Sequence, residues 1–122
     1  MLLTDRRQLV ELRYTGEQKD PATGQVRRAA LPPEQQATFS CRLLTGSEFL
    51  RVMDGGAGGT SMLNAVKWCL KGWAGIVGAD GDPVPFPGSA TEAIEQLPGD
   101  VVAWLGAEIM QASTLQRADL GK

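Results

Sequence analysis

The sequence predicts an α+β domain, with an N-terminal antiparallel hairpin or small sheet followed by a mainly helical C-terminal portion. Three observations lead there. Apolar residues alternate with polar ones, the period of a half-buried strand, over Gln8–Thr15 and again over Ala37–Leu44. From Thr45 onward the apolar spacing changes to three and four, the helical period. Two Ser/Thr-x-x-Glu sequences, Thr45 to Glu48 and Ser89 to Glu92, stand where helices would begin. At 122 residues the chain has the length of one domain, residues 1–122, and enough mass to build a core without disulfide or metal staples. Its parts are a strand-rich stretch over 1–44, a helical stretch over 45–116 and a frayed tail over 117–122.

In the first strand, Leu9/Val10, Leu12 and Tyr14 alternate with Glu11 and Arg13. Asp20-Pro21-Ala22-Thr23-Gly24 is a turn signal, and Gln25–Leu31 is the expected antiparallel partner across it. Pro32-Pro33 ends that pairing, because proline has no ladder donor. In the next strand Phe39, Cys41 and Leu43 share one face, with Thr38, Ser40 and Arg42 on the other. The helix opened by Thr45 runs through Met53 and offers Phe49, Leu50, Val52 and Met53 to a core. Asp54 and the glycines that follow it break that helix. Thr60 or Ser61 caps a second helix that runs to about Ala74, with Met62, Val66, Cys69/Leu70 and Trp73 at helical spacing. Residues 75–90 read as a loop, Ser89 starts a short helix closed by Pro98, and the last helix begins near Asp100. Its apolar stripe is Val101/Val102, Leu105, Ile109 and Ala112, with Trp104 at the flank.

Charge and composition exclude several functions. The net charge is −2 and the pI near 5.1, with eight Lys/Arg against six Asp/Glu over residues 1–51 and four against eight over 52–122. A nucleic-acid module needs a basic face, so no nucleic-acid partner is expected. There is no histidine, which removes His-based triads and His-ligated metal sites. Cys41 and Cys69 sit in apolar-periodic segments and read as buried thiols. No stretch approaches a membrane span. The Met1–Arg7 segment lacks the apolar run of a secretory leader, so the expected compartment is the cytoplasm.

Chemistry-bearing motifs are sparse. The glycines at 55–59 lack the lysine of a phosphate-binding loop and follow a helix instead of a strand, so they read as a linker. Asp80-Gly81-Asp82-Pro83 lacks the further ligands of a calcium loop and reads as a solvated turn. No nucleophile–base pair stands out, and no catalytic residue, cofactor or metal is expected. Trp68, Trp73, Phe86 and Trp104 need apolar burial, and such residues also anchor interfaces.

Lys67-Trp68 through Trp73-Ala74-Gly75-Ile76-Val77, then Asp80-Gly81-Asp82-Pro83-Val84-Pro85-Phe86, resembles the tail assembly chaperones of long-tailed bacteriophages and prophages. The same order of parts continues with an acidic helix at Ala90–Leu97, a Leu-Pro break at Pro98 and an amphipathic helix at Val101–Leu115. Upstream, Leu44-Thr45-Gly46-Ser47-Glu48 is similar to the family's helix start. The resemblance covers roughly residues 37–115 and leaves the N-terminal hairpin and the glycine linker without a counterpart. It implies a non-enzymatic protein of the host cytoplasm that binds the tape measure protein, keeps it soluble, helps recruit tail tube subunits and self-associates. The expected contact surface is Trp73, Ile76, Val84 and Phe86, with Trp104 on the last helix, forming a groove for an amphipathic client helix. Two alternatives stand beside it: a structural tail or connector component retained in the virion, and a small phage inhibitor of a host protein.

Overall fold

A computed structural model of the chain describes residues 8–55 and 59–120, with side chains up to Thr114. It is an α+β fold in which helices pack on one face of a three-stranded antiparallel sheet. The strands are β1 (Leu9–Tyr14), β4 (Ala37–Arg42) and β5 (Leu70–Ala74), in the order β1-β4-β5. A separate ribbon is formed by β2 (Gln18–Lys19) and β3 (Val26–Arg28). The helices are α1 (Gly46–Asp54), α2 (Gly59–Cys69), α3 (Ala90–Gln96) and α4 (Gly99–Leu120).

Period-two patterning decides which face of the sheet is covered. Ala37, Phe39 and Cys41 are buried, and Val10, Leu12 and Tyr14 of β1 pack beside them. Glu11, Arg13, Thr38 and Ser40 occupy the open face. The partner of β1, however, is β4, with Leu12 opposite Phe39, and not Gln25–Leu31. Ala37–Arg42 has an inward row that extends the core, whereas Gln25–Leu31 has no such row, and its Val26 is 54% exposed. The intervening chain forms the β2–β3 ribbon around the Asp20–Gly24 turn, where Asp20 accepts from Ala22 N and pairs with Arg27. Gln36 bridges the ribbon's base, accepting from Arg13 Nε at 2.8 Å and donating to the Leu31 carbonyl at 2.8 Å.

The second difference lies at Leu70–Ala74, expected as the end of a helix and found as strand β5, inside the stretch read as helical. Leu70 and Trp73 are three apart, which fits a helical face. In a regular strand they would point to opposite sides. The pairing shifts between Ser40 and Cys41, so that Gly72 faces Ser40 while Leu70 faces Cys41 and Lys71 is extra. This bulge places both Leu70 and Trp73 toward the core, which is how a strand acquires helix-like spacing. The end of β5 turns at Gly75, whose φ of +86° and position 2.6 Å (from an ideal Cβ) to the Gln36 carbonyl leave no place for a side chain.

Smaller corrections concern the helices. Only Val52 of α1 is buried and Phe49 is half-buried, while Leu50 and Met53, expected to face a core, are 61% and 57% exposed. Thr60 and Ser61, expected to cap α2, lie inside its first turn, and residues 56–58 of the glycine linker lie outside the described residues. The α4 backbone is helical through Leu120, past the expected fraying at Arg117, and residues 121–122 lie outside the described residues. Ser113 of α4 accepts from the Leu44 amide at 3.1 Å, fastening that helix to the chain just after β4.

The Thr45–Glu48 capping box forms in both directions, with Thr45 Oγ1 accepting from Glu48 N and Glu48 Oε1 accepting from Thr45 N. At Ser89 only the hydroxyl half forms, accepting from Glu92 N. Glu48 has a second partner: Arg42 Nη1 and Nη2 each donate to one of its carboxylate oxygens at 2.8 Å. That fork, together with the Thr45 amide, holds the Glu48 pKa down at about 2 against burial, which acts the other way. A depressed folded-state pKa stabilises the fold above the ordinary value near 4.5 and loses that contribution as pH falls toward 2. Glu48→Gln keeps an acceptor for Thr45 N but not the charge. The stability gap between wild type and this variant, from thermal melts, is expected to shrink steadily from pH 5 to pH 2. A gap constant over that range would contradict the assignment.

Candidate functional site

The site grows from the end of β5. Gly75 redirects the chain into a tight hairpin, with Val77 bridging Pro83, Val84 N donating to the Ile76 carbonyl at 2.9 Å and Gly78 N to the Asp82 carbonyl at 2.9 Å. Asp80 accepts from Asp82 N at 3.1 Å across its tip, so the Asp80 carboxylate closes a turn. The Trp73 indole N–H donates to the Val84 carbonyl at 2.9 Å and pins the hairpin against the sheet. Phe86 then meets the Trp73 ring edge-on at 5.2 Å.

These contacts belong to a continuous aromatic row. Trp73 packs edge-on against Phe39 at 6.4 Å, Phe39 tilts against Trp104 of α4 at 6.3 Å, and Trp104 meets Tyr14 of β1 at 5.1 Å. The row crosses all three strands of the sheet and reaches one helix. It brings Trp73, Val84, Phe86 and Trp104 together, with Ile76 packed against the same core. Each aromatic pair adds to the burial of its rings.

Beside the row lies an apolar groove of about 340 Å³, whose wall includes Tyr14, Phe39, Ile76, Val77, Leu97 and Val101. Of the five residues expected at a binding surface, Ile76 is in that wall. Phe86 faces a different opening of about 310 Å³ shared with Lys67, Lys71 and Ser89. Trp73 and Trp104 are half-buried supports, so truncating either disturbs the core as well as the surface. Tyr14, Val77 and Leu97 are the groove residues that sequence reasoning missed. They come from a strand end, a hairpin and the α3–α4 corner, and no local pattern links those three places. Leu97 also borders a third hollow of about 440 Å³ between α2, α3 and α4, with Met62, Leu63, Ile94 and Val102.

Cys41 and Cys69 are free and buried, and burial pushes both thiols up to about 12, so they stay protonated and unreactive at neutral pH. Among the described residues no group of His, Cys, Asp or Glu is arranged to hold a metal ion, and no helix is long and apolar enough to cross a membrane.

Comparison with known proteins returns no match among family models, curated proteins or solved structures.

Proposed function

We propose that this protein is a tail assembly chaperone that binds an amphipathic helix of a phage tape measure protein, with tail tube subunits as second clients, in the bacterial cytoplasm. The observation that carries the reading is the groove beside the aromatic row. It is apolar, open, and built partly from the Trp73–Phe86 segment on which the family resemblance rests. A helix laid into such a groove buries its apolar stripe there and is kept from aggregating.

The test is a tagged-bait pull-down from cells making the phage, read by mass spectrometry, with wild type and Val77→Glu in parallel. Val77 is 48% exposed and lies in the groove wall, so a charge there blocks apolar docking without entering the core. Wild type should recover one very long helical protein and less tube protein, and the variant should recover at least about tenfold less of both. Equal recovery by the two proteins, or a host enzyme alone, overturns the reading. A connector retained in the virion is the second reading. It draws on the projecting β2–β3 ribbon, whose residues from Pro21 to Ala30 are all exposed. Proteomics of purified virions separates the two, since a chaperone leaves before maturation and a connector stays at fixed copy number.

A further inference from the structure

We infer that β1 is a self-complementary pairing edge, through which two copies of this chain join antiparallel into one six-stranded sheet. Strand order β1-β4-β5 makes β1 an edge, and among the described residues no strand pairs with its second side. Every other residue of β1 therefore directs its N–H and C=O outward, a template for another strand. Apart from the charges of Glu11 and Arg13, β1 itself carries none of the usual edge protections. It has six residues, no proline or lysine, and an unbroken register with β4.

Charge order selects the occupant and the register. Glu11 and Arg13 both stand on the open face of the sheet, two residues apart. Place a second β1 antiparallel with Leu12 opposite Leu12 of that copy. Glu11 then lies opposite Arg13 of the second copy, and Arg13 opposite its Glu11, giving two cross-strand ion pairs by symmetry. Val10 lies opposite Tyr14 on the covered face, so the apolar rows of the two copies join. Sliding by one residue sets covered side chains against open ones. Sliding by two in either direction puts Glu11 opposite Glu11 or Arg13 opposite Arg13, and like charges directly opposite are destabilising. One register therefore satisfies both faces, and it is two-fold symmetric, as a closed dimer requires.

The side chains retain the capacity for these pairs. Glu11 uses Oε1 to accept from Ser40 Oγ at 2.9 Å, and Arg13 uses Nε to donate to Gln36. Glu11 Oε2 and the Arg13 terminal nitrogens have no ion-pair partner among the described residues. The groove lies on the covered side of the sheet, so the inference does not depend on any client.

Sedimentation velocity of the full chain, from micromolar to submillimolar concentration, tests the proposal. Wild type should show a monomer–dimer equilibrium. Glu11→Arg and Arg13→Glu should each raise the dimer Kd at least about tenfold, because each replaces two attractive contacts by two repulsive ones. The double exchange Glu11→Arg with Arg13→Glu restores opposite charges across the interface and should return Kd to within about threefold of wild type. Circular dichroism melts check that each variant is folded, and Glu11→Gln and Arg13→Gln, with weakening at least twofold expected, replace any that is not. A monomer at all concentrations, single reversals that leave Kd unchanged, or a double exchange that fails to restore it would each overturn the proposal. Unchanged single reversals would move any dimer to another surface.

Discussion

Phe39→Ala is expected to lower the unfolding free energy by about 3–5 kcal/mol, the range for truncating a fully buried aromatic ring. Phe39 lies in the central strand, with 0% exposure, and it stands between Trp73 and Trp104. Its loss removes transfer free energy and opens a void that the neighbouring indoles cannot close, since Trp73 is tied to the Val84 carbonyl and Trp104 is packed on Tyr14. A domain of this length commonly has about 6–18 kcal/mol in total, so the variant should stay folded in water but unfold at much lower denaturant. Urea titration followed by tryptophan fluorescence reads this as a fall in midpoint with an unchanged slope. A loss below about 1 kcal/mol would show that the row repacks, contrary to the geometry above.

Gly106→Ala is expected to be destabilising by about 1–3 kcal/mol even though alanine favours helices over glycine by nearly 1 kcal/mol. Gly106 lies in the middle of α4 where α2 crosses it. A Cβ there would stand 2.7 Å from both the Cβ and the carbonyl oxygen of Met62. The carbonyl belongs to backbone and cannot swing aside, so the two helices must separate, loosening Ala65 and Val66 of α2 against Leu105 and Ile109 of α4. Gly99→Ala, at the start of the same helix, has nothing within 4 Å of the new methyl and should be neutral or stabilising. Opposite signs for the two substitutions in thermal melts are the expected result. A stabilising effect at both positions would mean that the close approach of α2 and α4 is absent in solution.

What was legible in the residues follows from local physics. The alternation over Leu9–Tyr14 and Ala37–Arg42 identifies two strands and their covered faces because side chains in a strand have a period of two. The Thr45–Glu48 box marks a helix start because both of its hydrogen bonds close within four residues. Of the candidate site, the Trp73–Phe86 stretch is visible in the sequence as a cluster of aromatic and proline residues, and Ile76 lines the groove.

Other features needed partners distant in the chain. The nearest turn points to Gln25–Leu31 as the partner of β1, while burial favours Ala37–Arg42. The strand at Leu70–Ala74 was hidden by a bulge that exists only in its pairing with β4. Tyr14, Val77 and Leu97 meet across a groove although each looks ordinary in its own segment.

The sequence alone determined the α+β class, the strands at Leu9–Tyr14 and Ala37–Arg42, the helix starts at Thr45 and Ser89 and the absence of histidine chemistry, because each depends on residue type or on spacing within one element. Tertiary structure alone decided the strand order, the inward turn of Trp73, the aromatic row and the open edge of β1. Those depend on which apolar rows bury one another, and burial is settled by the whole core at once.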